Sequence, residues 1–275
     1  MSFLNVAAYK FVELDDLPAL RAQLREATLA HALKGTILLA PEGINLFLAG
    51  APAQLEAFLA ALLSDARFAD MPIKRSYSDE QPFNRMLVKL KREIITMRRP
   101  DVHPARQPAP RLEPRVLKQW LDEGREVVLL DTRNQFEVEV GTFGGAQEFG
   151  LDSFSQFPAA VQARAEEWRD KTIVTFCTGG IRCEKAAPLM QTLGFNDVYQ
   201  LDGGILKYFE ECGGAHWQGE CFVFDKRVAL DPQLRETATA QCYACQAVLT
   251  PEALQSADYV EGVSCPKCID KRHAA

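Results

Sequence analysis

The sequence lacks any apolar run of about 18 residues, the length needed to cross a bilayer. Its first residues, MSFLNVAAYKFVELDD, contain neither the basic segment nor the long apolar segment of a secretory signal peptide. Internal repeats and low-complexity tracts are also missing. These absences argue against membrane-spanning, exported and repeat proteins, and we expect a folded cytosolic protein.

Histidine is scarce, with four residues in the chain, and none is grouped with carboxylates as in a non-haem iron site. The glycine-rich fingerprint that binds flavin or nicotinamide dinucleotides is missing too. We therefore predict neither a flavin nor a nicotinamide cofactor. Cysteine, in contrast, is present eight times, and in a reducing compartment cysteines serve catalysis or metal binding more often than disulfides.

The 275 residues, 47% of them hydrophobic, suggest two domains and an appendage. Residues 1–98 show the order β-α-β-β-α-β followed by an extra edge strand. This order predicts a ferredoxin-like, acylphosphatase-like α+β domain, in which two helices cover one face of an antiparallel sheet. The other face of that sheet would be available to a partner.

Proline separates the first domain from a different pattern. Five prolines fall within residues 98–114, and we interpret residues 99–113 as a linker. Over residues 114–215, apolar strands such as VVLLD and TIVTF alternate with helices, which predicts a parallel α/β domain that carries the catalytic site. Residues 216–275 form a Cys-rich C-terminal segment.

The stretch IVTFCTGGIRCEK, residues 173–185, places Cys177 at the carboxyl end of a buried strand, where α/β sheets form their sites. Glycine frees the backbone amides of the following loop to point inward, and a helix N-terminus adds partial positive charge. Arg182 adds a full charge. Because these effects favour the thiolate, we predict a nucleophilic cysteine. The anion-binding loop comprises Thr178, Gly179, Gly180 and Ile181.

The net charge of −6 conceals a basic block. Between Lys74 and Arg115 stand eleven Lys and Arg against five acids, a local charge of +6 that leaves −12 for the rest. The block indicates an anionic partner, although a solvated linker face is an alternative. Strand alternation in VKLKREI would put Lys89 and Lys91 on one face, opposite Val88, Leu90 and Arg92. The candidate RNA-binding residues are Lys74, Arg75, Arg85, Lys89, Lys91, Arg92, Arg98 and Arg99.

Two C-x-x-C pairs stand near the C-terminus, Cys242 with Cys245 and Cys265 with Cys268, with nineteen residues between them. Four thiolates at this spacing fit tetrahedral zinc, which would supply folding energy to a segment with little core. Reduced thiols without metal, or disulfides, are the alternative. In the preceding motif CFVFD, we expect Phe222 and Phe224 to hold this segment to the α/β domain.

The Cys177 loop, CTGGIR, resembles the C-x4-R active-site loop of the rhodanese superfamily. LLDTRNQFE (129–137), FGGA (143–146) and LDGG (201–204) resemble further rhodanese motifs. Cysteine phosphatases of related fold have a loop one residue longer, which accommodates phosphate. The shorter loop here favours a smaller reacting atom, such as sulfur or oxygen carried on Cys177.

Along nearly its whole length the chain resembles the tRNA uridine(34) hydroxylase family. The resemblance rests on GTILLAPEGINLFLAG, PFNRMLVKLKREI, CTGGIRCEKA and GECFVFDKRV. It implies oxygen-dependent 5-hydroxylation of the wobble uridine, with tRNA bound at its anticodon region and O2 as co-substrate. The alternative is a rhodanese-type sulfurtransferase that carries a persulfide on Cys177.

The resemblance also implies roles for single residues. Cys177 would be essential, Arg182 and the loop amides would stabilise its anion, and Asp131 and Arg133 at the neighbouring strand end would orient the loop. Apart from the resemblance, Cys183 follows Arg182 directly and could resolve an oxidised Cys177 through a disulfide; the alternative is a buried residue in the first turn of a helix. Two hypotheses describe Cys177 itself: attack at uracil C6, or transport of an oxygen or sulfur atom.

Overall fold

The computed structural model describes residues 2–245 and 247–270. The chain divides into two compact units, one ending at Pro108 and the other beginning at Ala109. Each unit has its own hydrophobic core. Within the described ranges, no helix is long and apolar enough to cross a membrane. The last five residues of the predicted Cys-rich segment lie outside the described residues.

The first unit is built on a five-stranded sheet with the order β4-β1-β3-β2-β5. All neighbours are antiparallel except β2 and β5. The predicted ferredoxin-like fold with an extra edge strand is therefore confirmed. Its elements are β1 (Phe3–Phe11), α1 (Leu17–Ala30), β2 (Lys34–Ala40), β3 (Gly43–Gly50), α2 (Pro52–Leu63), β4 (Ile73–Ser78) and β5 (Met86–Leu90).

One side of this sheet meets both helices in the core of the unit. Alternate residues of the strands, such as Leu4 and Val6 of β1, point into it, as the period of two requires. Helix residues at helical spacing, Leu20 and Leu24 of α1 among them, face them. Apolar patterning thus explains why the helices lie where they do.

The basic strand is shorter than predicted. β5 ends at Leu90, and the expected alternation through Arg92 is wrong beyond that residue. The Lys91 N–H still donates to the Leu39 carbonyl at 2.8 Å, but the Glu42 carboxylate then captures the Ile94 N–H at 2.7 Å. The Ile94 N–H is thus bonded to a side chain and not to β2, and the strand does not continue past Leu90.

The second unit contains a four-stranded parallel sheet with the order β6-β10-β9-β7, which confirms the predicted parallel α/β architecture. Strands β8 and β11 form a separate antiparallel pair. The elements are β6 (Arg111–Leu112), α3 (Pro114–Asp122), β7 (Val128–Asp131), α4 (Gln135–Val138), β8 (Gly141–Phe143), α5 (Phe157–Gln162), α6 (Ala165–Trp168), β9 (Thr172–Phe176), α7 (Cys183–Thr192), β10 (Asp197–Leu201), α8 (Gly204–Cys212) and β11 (Trp217–Gly219).

The C-terminal part of this unit consists of short pairs rather than a layered sheet. A small cluster forms its core, consisting of Leu249 and the cysteines Cys242, Cys265 and Cys268. So small an apolar core agrees with the expectation that thiols, not packing, organise this segment. Its elements are β12 (Cys221–Phe222), β13 (Ala229–Leu230), β14 (Ala240–Gln241), β15 (Val248–Leu249) and α9 (Pro251–Leu254).

Candidate functional site

Cys177 follows β9 directly and is fully buried at the carboxyl end of the parallel sheet. Helix α7 begins at Cys183, so the loop between them closes within five residues. The start of α8 binds this loop from a third element. The Ile205 N–H donates to the Cys177 carbonyl at 3.0 Å, and the Leu206 N–H donates to the Thr178 carbonyl at 3.1 Å. Helix α8 therefore holds Cys177 and the first residue of the loop, on the strand side.

Backbone N–H groups surround the Cys177 sulfur. Gly180, at a φ of +99° that favours glycine, donates its N–H to Sγ at 3.2 Å, and the backbone of Arg182 and Cys183 also bonds the sulfur. Burial alone would raise the pKa of the Cys177 thiol. The hydrogen bond with the Cys183 side chain, the Arg182 charge and the backbone donors outweigh burial and lower this pKa to about 5.

The guanidinium of Arg182 is bound by a carboxylate from another part of the chain. Glu137 accepts Arg182 Nη1 at 2.5 Å and Nη2 at 2.7 Å. Its carboxylate also accepts the Thr178 hydroxyl at 3.4 Å and the Asn134 N–H at 3.1 Å. Burial opposes ionisation, but Arg182 dominates and keeps the pKa of Glu137 below its usual value. Sequence analysis missed this role, although Glu137 ends the rhodanese-like motif DTRNQFE.

Asp131 and Arg133 form a second buried ion pair beside the loop. Arg133 Nε and Nη2 donate to the Asp131 carboxylate at 2.9 and 2.6 Å. Arg133 also donates to the Gly141 carbonyl at 2.6 Å, and Thr142 donates to Asp131 at 2.8 Å. This pair joins the end of β7 to β8. Arg133 Nη1 also donates to the Glu137 carbonyl at 3.3 Å, so the pair connects the strand end to α4 as well.

Cys183, the second cysteine of the motif, lies beside Cys177 in the structure. Cys183 is fully buried, its side chain hydrogen-bonds that of Cys177, and its sulfur lies 3.7 Å from the Thr132 hydroxyl. Burial and the neighbouring Cys177 anion hold the pKa of Cys183 well above its usual value. The structure therefore places a thiolate beside a protonated thiol.

The motif GECFVFDKRV forms one wall of the site. Cys221 is buried near Thr178, and burial raises the pKa of its thiol to about 12. The Phe222 carbonyl accepts the Thr178 hydroxyl at 3.3 Å, and the Phe222 ring packs edge-on against Phe136 with centroids 5.1 Å apart. Phe222 does hold this segment to the α/β domain. Phe224 packs edge-on against Phe222 and lies beside Arg182, but half of it remains exposed.

The eight candidate RNA-binding residues are not brought together. Lys74 and Arg75 lie on β4, while Lys89 lies on β5 at the opposite edge of the sheet, four strand spacings or roughly 19 Å away. Arg75 is paired with Glu56 at 2.8 Å and Arg99 with Asp101 at 2.6 Å. A cleft of about 940 Å³ in this unit is lined by Lys91, Arg92, Arg98 and Arg99, together with acidic and apolar residues.

The expectation that four cysteines lie together near the C-terminus is confirmed. The sulfur atoms of all four are within 4.8 Å of one another. Cys265 Sγ lies 3.6 Å from that of Cys245 and 3.7 Å from that of Cys268. Zinc–sulfur bonds of about 2.3 Å in a tetrahedron require sulfurs about 3.8 Å apart, so this donor set fits a zinc ion.

Comparisons with known proteins cover both units. A UPF0176 acylphosphatase-like domain matches residues 3–94, and a rhodanese-like domain matches residues 113–211. A tRNA uridine(34) hydroxylase of Cupriavidus metallidurans is 58% identical over 98% of both chains. Proteins of the same name from Ralstonia nicotianae and Burkholderia thailandensis are 55% and 54% identical, over 100% and 98% of this chain and 99% and 94% of theirs.

Proposed function

This chain belongs to the tRNA uridine(34) hydroxylase family, and we propose that it hydroxylates uridine 34 of tRNA at C5, with O2 as co-substrate. The observation that carries the proposal on the chemical side is the Cys177 environment, where backbone donors and Arg182 stabilise a buried thiolate. Because tRNA is the substrate, we place the reaction in the cytoplasm and the bound region at the anticodon.

We assign Cys177 as the essential residue and Arg182, with the amides of the loop, as the group that keeps it ionised. Glu137 acts as a positioning residue, since it holds the Arg182 guanidinium in place. The Asp131–Arg133 pair, buried and bonded to β8, positions the strand end from which the loop starts. Both hypotheses for Cys177, attack at uracil C6 and transport of an oxygen atom, require the thiolate that this arrangement favours.

We assign to Cys183 the role of resolving thiol, because its side chain contacts that of Cys177. Replacing C5–H by C5–OH takes one oxygen atom from O2, and reduction of the other atom to water needs two electrons and two protons. Oxidation of the Cys177 thiolate and the Cys183 thiol to a disulfide releases two electrons and one proton, and the second proton comes from solvent. An external thiol then reduces the disulfide and restores the site.

We propose that the unit ending at Pro108 binds tRNA through the β5 edge and the adjoining cleft. In the described part of the chain, no ion pair occupies Arg85, Lys89, Lys91, Arg92 or Arg98, in contrast to Arg75 and Arg99. Unpaired cations on a surface can bind phosphates without first giving up another partner. Lys74 and Arg75 at the opposite edge would then contribute less.

We further propose that the four-cysteine cluster holds structural zinc. Cys242, Cys245, Cys265 and Cys268 would supply all four ligands, which leaves no open position for substrate. In this reading the metal stabilises the C-terminal segment and takes no part in hydroxylation. The segment continues from the motif that borders the Cys177 loop, so its folding supports the site indirectly.

The test is reconstitution with uridine-34 tRNA, O2 and a thiol reductant, followed by mass spectrometry of the nucleosides. We expect 5-hydroxyuridine with the wild-type protein, none with Cys177→Ser, and a Cys177–Cys183 disulfide when the reductant is left out. Unmodified tRNA together with transfer of sulfur from thiosulfate to a thiol would select the rhodanese-type sulfurtransferase. Full hydroxylation by Cys177→Ser would remove the assigned role of Cys177.

A further inference from the structure

The motif GECFVFDKRV, residues 219–228, adjoins the Cys177 loop but has no part in the chemistry proposed above. Its Phe222 carbonyl accepts the hydroxyl of Thr178, the residue that follows Cys177. Its Cys221 thiol is buried next to the same threonine. The motif is therefore in direct contact with the loop, and any side chain that it exposes there lies at the edge of the site.

Phe224 is the side chain that the motif exposes. Phe224 is 50% exposed, whereas its neighbours Phe222 and Val223 are 3% and 5% exposed. Exposed large aromatic rings are few: from Ala109 onward, the described residues include only Phe224 and Tyr243. Burial of the exposed half of the phenyl ring would stabilise the fold by about 1 kcal/mol, so leaving it in water has a cost in stability.

The Phe224 ring is held in place from two sides. It packs edge-on against Phe222, with centroids 5.1 Å apart and planes at 82°, and Phe222 is fixed in the same way by Phe136. The Arg182 guanidinium carbon lies 5.9 Å from the Phe224 centroid. After Phe224 the chain is fixed again by the Asp225–Arg227 ion pair at 2.5 Å. The ring is thus a supported flat surface next to the last residue of the Cys177 loop.

We infer that Phe224 is the stacking platform for the base of uridine 34. An enzyme that modifies a base must draw it out of its stack, and a pocket with an aromatic ring replaces the lost stacking. A ring fixed beside Arg182 would place the flat face of uracil next to the loop that carries Cys177. The inference rests on the proposed function and names the contact that orients its substrate.

A flat ring is a more specific feature than exposed apolar area. Transfer of sulfur between small anions requires no stacking surface, whereas a pyrimidine presents a π-face that any aromatic side chain can cover. Substitution can separate the two properties. Leucine keeps apolar area at position 224 but has no flat face, while tyrosine keeps the ring.

The experiment compares anticodon stem-loop RNAs that carry either uridine or an abasic site at position 34, bound to the full-length protein. We expect the wild-type protein to bind the uridine RNA about tenfold more tightly than the abasic RNA, as stacking of one base implies. Phe224→Ala and Phe224→Leu should reduce this ratio to near one, and Phe224→Tyr should restore it. Leu29→Ala, which truncates a 60% exposed side chain on α1, is the control and should keep the ratio.

Hydroxylation is measured on the same samples. We expect Phe224→Ala to raise KM for tRNA about tenfold and to leave the circular dichroism spectrum unchanged. A wild-type protein that prefers the uridine RNA through Phe224 but forms no 5-hydroxyuridine would refute the proposed function alone. The stacking role alone would be refuted if the wild-type protein forms 5-hydroxyuridine and Phe224→Ala and Phe224→Leu prefer the uridine RNA over the abasic RNA as strongly as the wild-type protein does.

Discussion

Arg182 and Glu137 form a bidentate ion pair inside the Cys177 site, with N–O distances of 2.5 and 2.7 Å and side chains that are 5% and 0% exposed. The guanidinium is therefore shared between a carboxylate and the Cys177 anion, rather than being open to a substrate anion. Glu137 raises the pKa of Arg182 still further, which secures the cation that the thiolate needs. The pair links α4 to the loop. The same ion pair therefore contributes to the stability of the fold and to the ionisation of Cys177.

Substitution of Glu137 tests this coupling. Glu137→Gln removes the carboxylate from the buried Arg182 guanidinium, and loss of one partner of a buried pair costs roughly 3–5 kcal/mol. We expect the free energy of unfolding in urea to fall by that amount. The matched control is Glu139→Gln, which removes an exposed pair with Lys267 and should cost less than about 1 kcal/mol. Equal small losses in both variants would contradict the structural importance of Glu137.

The lowered pKa of Cys177 predicts a pH dependence of stability. Between pH 5 and pH 9 the folded protein holds a thiolate, whereas the unfolded chain holds a thiol and binds one more proton. This contribution to stability is complete above about pH 9, the usual range of a free thiol, and is lost as pH falls through about pH 5. Cys177→Ser removes it. The free energy of unfolding of the wild-type protein should therefore rise relative to that of Cys177→Ser across this window.

Urea unfolding of both proteins at pH 5.5, 7 and 8.5 measures that difference. Titrating groups that do not interact with Cys177 are common to the two proteins and cancel. Cys183 does not interfere, because its pKa lies well above the window in the folded protein and it stays protonated there. A constant difference across the three pH values would mean that Cys177 is a thiol in the folded state.

Gly204, the first residue of α8, lies so close to the Cys177 loop that there is no room for a side chain. A Cβ atom there would lie 2.4 Å from the Cys177 carbonyl oxygen and 2.8 Å from the Gly180 nitrogen, and φ is +67°. Gly204→Ala should displace the loop and abolish hydroxylation. Gly124→Ala is a matched control: φ is +66°, but nothing lies within 4 Å of the added Cβ. Its cost should be limited to the backbone strain of about 1–2 kcal/mol, with activity retained.

The measurements are activity and the free energy of unfolding of both alanine variants. If Gly204→Ala loses no more stability than Gly124→Ala and remains active, the close approach of α8 to the loop does not matter for function. Because both glycines have nearly the same φ, the comparison separates steric contact from backbone strain.

Local signals explain what could be predicted from the sequence. The strand end, the glycines and Arg182 fall within thirteen residues, so the loop could be inferred without knowledge of the fold. The partner of Arg182 could not, because Glu137 is 45 residues away and no spacing rule connects the two. The exposure of Phe224 was hidden for a similar reason. In the sequence it looks like Phe222, and nothing in the local pattern shows that one side chain is buried and the other exposed.

The basic block shows the opposite error. Its residues are close in sequence, but the strand order places β4 and β5 at opposite edges of the sheet. Arg75 and Arg99 also form ion pairs with Glu56 and Asp101, which neutralise part of the basic block. A count of charged residues along the sequence cannot show such pairs. The two C-x-x-C pairs, by contrast, were informative because metal ligation itself constrains spacing.

The four-cysteine cluster predicts one zinc per chain in protein purified under reducing conditions. Cys268→Ser should lose the metal, and hydrogen exchange should speed up in residues 240–270, because ligation supplies most of the folding energy there. Cys212→Ser, which lies outside the cluster, should retain one zinc. A metal-free wild-type protein whose exchange in this segment is as slow as that of the zinc-loaded protein would exclude a structural metal.

Charge reversal at the β5 edge tests the proposed RNA surface. Lys89→Glu with Lys91→Glu should weaken tRNA binding and reduce the slope of log K against log salt, by about 0.7–0.9 for each phosphate contact that is lost. Arg75→Glu, at the opposite sheet edge and already paired with Glu56, should change the slope less. Arg25→Glu on α1 is the control for net charge alone. If all three proteins show the same affinity and slope, general charge accounts for binding and the β5 edge is not the site of contact.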